Sequence, residues 1–122
     1  MHKDKLVLLV DDEPSILATT RAGLMDRGFR VEAVGGADEA IRAIRTHSPS
    51  IVVSDLVMPV TNGFELFETV KKEHAGLPFI FLTAVDDFYA RKFGREMGGA
   101  AYITKPVDLD ELERIILEKI RS

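Results

Sequence analysis

The stretch Leu6-Val7-Leu8-Leu9-Val10-Asp11-Asp12-Glu13-Pro14 decides the fold. Five apolar residues run without a polar break, which is the pattern of a strand covered on both faces rather than one with a wet side. Three acidic residues stop the run, and Pro14 suits the first turn of a helix, where its missing N–H costs nothing. The unit is therefore strand, acidic turn, helix. Five apolar residues ended by acids are too short for a signal peptide or a membrane span.

The same unit repeats outward along the chain. Strand-like runs lie at Leu6–Val10, Val31–Val34, Ile51–Val53, Phe79–Leu82 and Ala101–Ile103. Helical periodicity lies near 14–27, 37–46, 64–74, 86–97 and 108–121. The last is the best signalled: Asp108 and Glu111 have capping-box spacing, and Leu109, Leu112, Ile116 and Ile120 form one face. Gly28 follows the first helix and Gly98–Gly99 close the fourth. Asn62–Gly63 falls in the loop before the third helix, where a positive φ comes most easily. Five βα units in 122 residues predict an α/β fold with an open, doubly wound parallel sheet and helices on both faces. Pattern alone leaves the strand order open. No linker or low-complexity tract interrupts the chain, so residues 1–122 read as one domain.

Composition narrows the function. Sixteen basic and twenty acidic side chains give a net charge of −4, which disfavours a nucleic-acid-coating surface. There is no cysteine, hence no disulfide, thiolate metal site or thiol chemistry. A cytoplasmic, non-membrane protein is the expectation.

In an open parallel sheet, chemistry belongs at the carboxyl ends of the strands. Asp11 and Asp12 follow the first strand, Asp55 the third, Thr83 the fourth and Lys105 the fifth. Taken singly, each has a plain structural reading: Asp12 as a helix N-cap, Asp55 and Lys105 as surface residues. Taken jointly, three carboxylates, a hydroxyl and an ammonium open onto one edge. One lysine cannot neutralise three carboxylates, so their pKa values rise or a cation binds. An all-oxygen site suits Mg²⁺ or Mn²⁺, and such a cation beside a lysine suits a transferring phosphoryl group. Asp55, alone at the end of the third strand, is the candidate nucleophile for an acyl phosphate.

These residues sit in motifs that closely resemble the receiver domain of two-component response regulators, of the chemotaxis-regulator type. The motifs are Leu9-Val10-Asp11-Asp12-Glu13-Pro14, then Ser54-Asp55-Leu56-Val57-Met58-Pro59 with Gly63 after it, Leu82-Thr83-Ala84, and Tyr102-Ile103-Thr104-Lys105-Pro106. The resemblance spans essentially the whole chain. It implies a flavodoxin-like three-layer sandwich with strand order 2-1-3-4-5. It implies that Asp55 takes a phosphoryl group from a sensor histidine kinase or a histidine phosphotransfer protein. Asp12, Asp55 and the backbone carbonyl of Val57 would bind Mg²⁺ directly, and Asp11 through water. Lys105 would pair with a phosphoryl oxygen, Lys105–Pro106 would be a cis peptide, and Thr83 and Tyr102 would form the switch. The surface carrying the signal would comprise the fourth helix, the fifth strand and the last helix.

Two positions depart from the commonest family choices. Val57 and Val85 cannot hydrogen-bond a water attacking the phosphoryl group, which predicts slow self-dephosphorylation. Gly94 inside the fourth helical segment either weakens it for a switch or permits close packing. Phe88, Tyr89, Phe93 and Met97 in the same segment suggest an effector contact or a phosphorylation-dependent homodimer. His2, His47 and His74 form no site and read as surface residues, so the phosphohistidine must come from a partner.

Other chemistries fit less well. A metal-dependent phosphatase with an aspartyl nucleophile wants Asp-x-Asp after the first strand, whereas Asp11 and Asp12 are adjacent. A flavin carrier of this fold class wants a hydroxyl- and glycine-rich loop there, and Asp11-Asp12-Glu13 would repel its phosphate. A degenerate receiver would lack one of the chemical positions, and all are filled. The output domain or effector is not legible in these residues.

Overall fold

The computed structural model describes residues 4–56, 63–83 and 101–121. These form β1 (Leu6–Val10), α1 (Pro14–Asp26), β2 (Arg30–Val34), α2 (Ala37–His47), β3 (Ile51–Asp55), α3 (Gly63–Glu73), β4 (Phe79–Thr83), β5 (Ala101–Thr104) and α4 (Leu109–Arg121). The helical segment expected at 86–97, with Gly94 and the Gly98–Gly99 stop, lies outside the described residues. So do His2, Val57, Asn62 and Val85.

All strands are parallel, in the order β2-β1-β3-β4-β5. The unbroken apolar runs are explained by two separate cores. Val7 and Leu9 of β1 join Val53, Ile80, Leu82 and Ile103 under α1 and α4, where Leu24, Leu112 and Ile116 close the layer. Leu8 and Val10 join Val52, Phe79 and Phe81 under α2 and α3, with Ala40, Ile44, Leu66, Phe67 and Val70 above them. Alternate residues of one strand thus feed opposite layers, and a polar residue in either set would bury an unpaired group. β2 is an edge strand whose charged Arg30 and Glu32 discourage pairing with another chain.

Several boundaries differ from the sequence reading in ways that matter to the site. β3 continues to Asp55 and β4 to Thr83, because Asp55 still pairs with Leu82 and Thr83 with Thr104. Both side chains are therefore held by the ladder itself rather than by the loops after it. Asp12 does not cap α1. Glu13 occupies the cap position without a side-chain cap bond, and it is Asp11 Oδ1 that accepts the Glu13 N–H at 3.0 Å. Pro14 opens the helix as expected. Gly28 has φ 94°, the left-handed conformation that glycine adopts at least cost. Gly63 is the first residue of α3 and, unlike Gly28, does not have a positive φ. Its requirement is for space, not for a turn.

Asp108 stands just before α4, and its Oδ1 accepts the N–H groups of Asp110 at 2.9 Å and Glu111 at 3.3 Å. Asp108→Ala is expected to cost about 1 kcal/mol of stability, the usual penalty for a lost N-cap. Urea denaturation measures it, and an unchanged midpoint would rule the cap out as a contributor. At the far end of α1, Arg27 reaches Asp110 at 2.8 Å and Glu113 at 3.0 Å, tying α1 to α4. His47 pairs with Glu32 at 2.8 Å and His74 approaches Glu73 at 3.8 Å, both on the surface.

Candidate functional site

The strand order places β1 beside β3, so the residues following β1 meet the last residue of β3. One carboxylate oxygen from each of Asp11, Asp12 and Asp55 lies within 4.8 Å of the others. Among the described residues no other group of three or more such side chains is close enough to hold a metal, and no histidine takes part. The two adjacent aspartates have unlike surroundings. Asp11 is 1 % exposed and Asp12 is exposed, since successive residues leave the strand in opposite directions.

Lys105 completes the cluster from the other side of the sheet. It lies just beyond β5, two strands from β3, and its Nζ reaches across to Asp55 Oδ1 at 3.2 Å. Asp11 Oδ2 is at 4.0 Å from the same ammonium, close enough for Coulomb attraction but too far for a hydrogen bond. The Lys105 backbone N–H donates to the Thr83 carbonyl at 2.7 Å, and the Lys105–Pro106 peptide is cis.

The electrostatics of Asp11 follow from this geometry. Oδ1 is satisfied by the Glu13 N–H, while Oδ2 is fully enclosed with no hydrogen-bond partner. Burial raises the carboxyl above its ordinary value of 3.8. The Glu13 N–H and Lys105 oppose that rise, and Asp55 and Asp12 add to it. A buried carboxylate oxygen without a donor, beside two further carboxylates, fits a hard divalent cation with oxygen ligands. Asp12 and Asp55 would supply carboxylate oxygens, with Asp11 close behind. Val57 is outside the described residues.

Thr83 is buried at the end of β4, and Tyr102 on β5 is in register with Phe81. Since Phe81 and Thr83 are two residues apart, Thr83 and Tyr102 lie on one face, two register positions from each other. The Tyr102 ring rests on Phe81, centroids 5.5 Å apart, and its hydroxyl is enclosed without a partner. Burial raises that phenol above its ordinary value of 10.0. Phe81 also meets Phe64 at 5.5 Å and Phe67 at 5.8 Å, so an aromatic cluster joins Tyr102 to α3.

Two contacts of Asp55 escaped the sequence reading. The buried Ser54 hydroxyl donates to the Asp55 carbonyl at 2.9 Å, and the bare Cα of Gly63 packs against the same carbonyl. Eight residues of separation carry no sign of the second contact, and only the packing of α3 onto β3 reveals it.

The parallel sheet and its acidic edge agree with comparisons to known proteins. Rre1, a response regulator of Synechocystis, is 37 % identical over 113 residues, covering 90 % of this chain and 49 % of its own length. The chain spans about half the length of such curated relatives, with 45 % for the probable transcriptional regulator TcrX of Mycobacterium tuberculosis. Among solved structures, a CheY-like receiver domain protein of Methanospirillum hungatei is 32 % identical with a TM-score of 0.87, covering 96 % of this chain and 94 % of that one. No helix among the described residues is long and apolar enough to cross a membrane. The family model for the response regulator receiver domain matches residues 7–117, and with this fold and edge the chain belongs to that family.

Proposed function

We propose that residues 1–122 make one receiver domain that accepts a phosphoryl group on Asp55 from a phosphohistidine of a sensor histidine kinase or histidine phosphotransfer protein. The observation that carries this reading is the Lys105 Nζ at 3.2 Å from Asp55 Oδ1, within a cluster of three carboxylates at the carboxyl edge of the sheet. An Asp55 carboxylate oxygen attacks phosphorus, and the P–N bond breaks with its electron pair staying on the donor imidazole. The product on the protein is an acyl phosphate.

Asp12, Asp55 and the Val57 backbone carbonyl would hold Mg²⁺ (or Mn²⁺), with Asp11 acting through a bound water. A cation bound there would supply neutralisation of the charge spread over the phosphoryl oxygens. Lys105 holds its ammonium where a phosphoryl oxygen on Asp55 would lie, which stabilises the developing charge. A cleft of about 670 Å³ between α1 and the residues after β5, lined by Ser15, Ile16, Thr19, Lys105, Pro106 and Val107, offers the donor a way in.

The added phosphoryl group carries roughly −1.5 to −2 charges and three acceptor oxygens. The Thr83 hydroxyl donates to one of them, and Tyr102 responds within its aromatic seat. The surface made by residues 86–97, β5 and α4 changes and is read by an output domain or an effector. A phosphorylation-dependent homodimer through Phe88, Tyr89, Phe93 and Met97 belongs to the same proposal, and size measurement after stable phosphorylation tests it. The module works in the cytoplasm, touches neither nucleic acid nor membrane, and removes its own phosphoryl group slowly.

Intact-mass measurement after incubation with a small phosphodonor and Mg²⁺ tests the acceptor. One added phosphoryl group is expected, and none in Asp55→Ala; undiminished addition in that variant refutes the assignment. The lifetime is tested separately. Val57→Asn and Val85→Glu give polar groups able to orient a water, so the phosphoryl group should decay faster in each. Decay in the parent that is equal to or faster than in both variants would sink the idea.

A further inference from the structure

The main chain at Asp55 is gripped by two residues that the phosphoryl chemistry does not use. Ser54, with no exposed surface, donates its hydroxyl to the Asp55 carbonyl at 2.9 Å. Gly63 meets the same carbonyl from α3. A Cβ added to Gly63 would stand 2.7 Å from the Asp55 carbonyl oxygen, 3.0 Å from Leu56 Cα and 3.1 Å from Phe81 Cε1. The Gly63 N–H donates to the Leu56 carbonyl at 2.8 Å, so α3 is latched to the residue following Asp55. Two of the three contacts are backbone atoms and the third belongs to a buried ring, so nothing there gives way cheaply.

The contrast with Gly23 is instructive. A Cβ at Gly23 would meet only the side-chain end of Leu109, a flexible group that is not part of the carboxylate cluster. Steric demand at Gly23 is therefore absorbed by a rotamer change, whereas at Gly63 it is passed to the phosphoacceptor.

We propose that Gly63 and Ser54 are positioning residues for the phosphoacceptor: together they clamp the Asp55 carbonyl and so aim the Asp55 carboxylate at Lys105 and the metal position. This rests on the reading of Asp55 as phosphoacceptor. Displacement on the order of 1 Å in such a group can cost about 10²-fold in rate. The Gly63 contact sets the position sterically, and the Ser54 hydroxyl holds the same carbonyl by a hydrogen bond.

The test compares Gly63→Ala, Gly63→Ala/Phe81→Leu, Ser54→Ala and the control Gly23→Ala. Three quantities are measured on each: the thermal midpoint, the Mg²⁺ dissociation constant from the Leu56 amide shift, and the rate of phosphoryl loading by intact mass. Leu56 is the reporter because its N–H is fixed to the Leu82 carbonyl at 3.1 Å. Gly63→Ala should weaken Mg²⁺ binding and slow loading at least tenfold. Gly23→Ala should leave both Mg²⁺ binding and loading within about twofold. In the double variant only the Phe81 contact is relieved, so the clash with the Asp55 carbonyl persists and Mg²⁺ affinity should stay low. Ser54→Ala should weaken Mg²⁺ binding by about threefold, the worth of a modest hydrogen bond.

Full recovery of Mg²⁺ affinity in the double variant, or parental affinity in Gly63→Ala, overturns the proposal. If Gly63→Ala does not fold, unchanged affinity in Ser54→Ala overturns it instead. A parent that binds Mg²⁺ but gains no phosphoryl group overturns the acceptor reading alone, because the affinity comparison still reports on the clamp.

Discussion

Replacing Asp11 with asparagine should raise the stability of the metal-free protein at neutral pH by about 1–3 kcal/mol, while weakening Mg²⁺ binding at least tenfold. Asparagine keeps an Oδ1 to accept the Glu13 N–H, so the bond at 3.0 Å survives. What disappears is a charge on a side chain 1 % exposed, whose second oxygen has no donor and which faces the repulsion of Asp55 and Asp12. The attraction of Lys105 at 4.0 Å is lost as well, but it is outweighed, since the surroundings as a whole favour the protonated carboxyl.

The pH dependence follows with a definite sign. Asp11 has a folded-state pKa above its ordinary value of 3.8, so the folded state binds more protons than the unfolded one between the two values. Its contribution is most favourable at pH below 3.8 and is lost as pH rises through the raised folded-state pKa. Metal-free parent and Asp11→Asn should therefore be similar in strong acid and diverge as pH rises through that window. Saturating Mg²⁺ should reverse the order, because only the parent binds it well and ligand binding stabilises the folded state. Urea denaturation with and without Mg²⁺ provides the check. A metal-free Asp11→Asn variant less stable than the parent at neutral pH would contradict the account.

Lys105→Met should slow phosphoryl loading of Asp55 by about 10²-fold or more, comparable to losing a preorganised donor at a developing anion. The same substitution should tighten Mg²⁺ binding. The Lys105 ammonium lies 3.2 Å from Asp55 Oδ1 and 4.0 Å from Asp11 Oδ2, so it competes with any cation for the same oxygens. Methionine preserves the apolar stem and removes only the charge. A purely structural role for Lys105 would move both quantities the same way. Loading rates by intact mass, set against a Mg²⁺ titration, decide between the two. A variant that loads at the parental rate would remove Lys105 from the chemistry.

Much of this site was legible residue by residue. Asp55, Thr83 and Lys105 stood out because each closes an apolar run, and parallel sheets put chemistry at that end. The unlike fates of Asp11 and Asp12 were not legible. Both follow one strand, and only the placement of β1 between β2 and β3 determines which one is enclosed. The plain structural reading of Asp12 as a helix cap does not apply, since Asp11 is the residue turned back toward Glu13. Ser54 entered the sequence reading only as a neighbour of Asp55 in its motif, and Gly63 as a turn residue. Both acquire meaning from the carbonyl they share, which no spacing encodes.

The sequence by itself determined the five strands, the four described helices, the two-sided burial of the strands and the excess of negative charge at their ends. Hydrophobic periodicity and helix capping act over a few residues, so neighbouring side chains are enough to specify them. Tertiary structure decided the rest: the adjacency of β1 and β3, the reach of Lys105 across β4 to Asp55, and the closure of α3 onto the Asp55 carbonyl. These depend on contacts between elements that the chain itself keeps apart, and the mutual repulsion and attraction among Asp11, Asp12, Asp55 and Lys105 exist only once the folded core has brought them together.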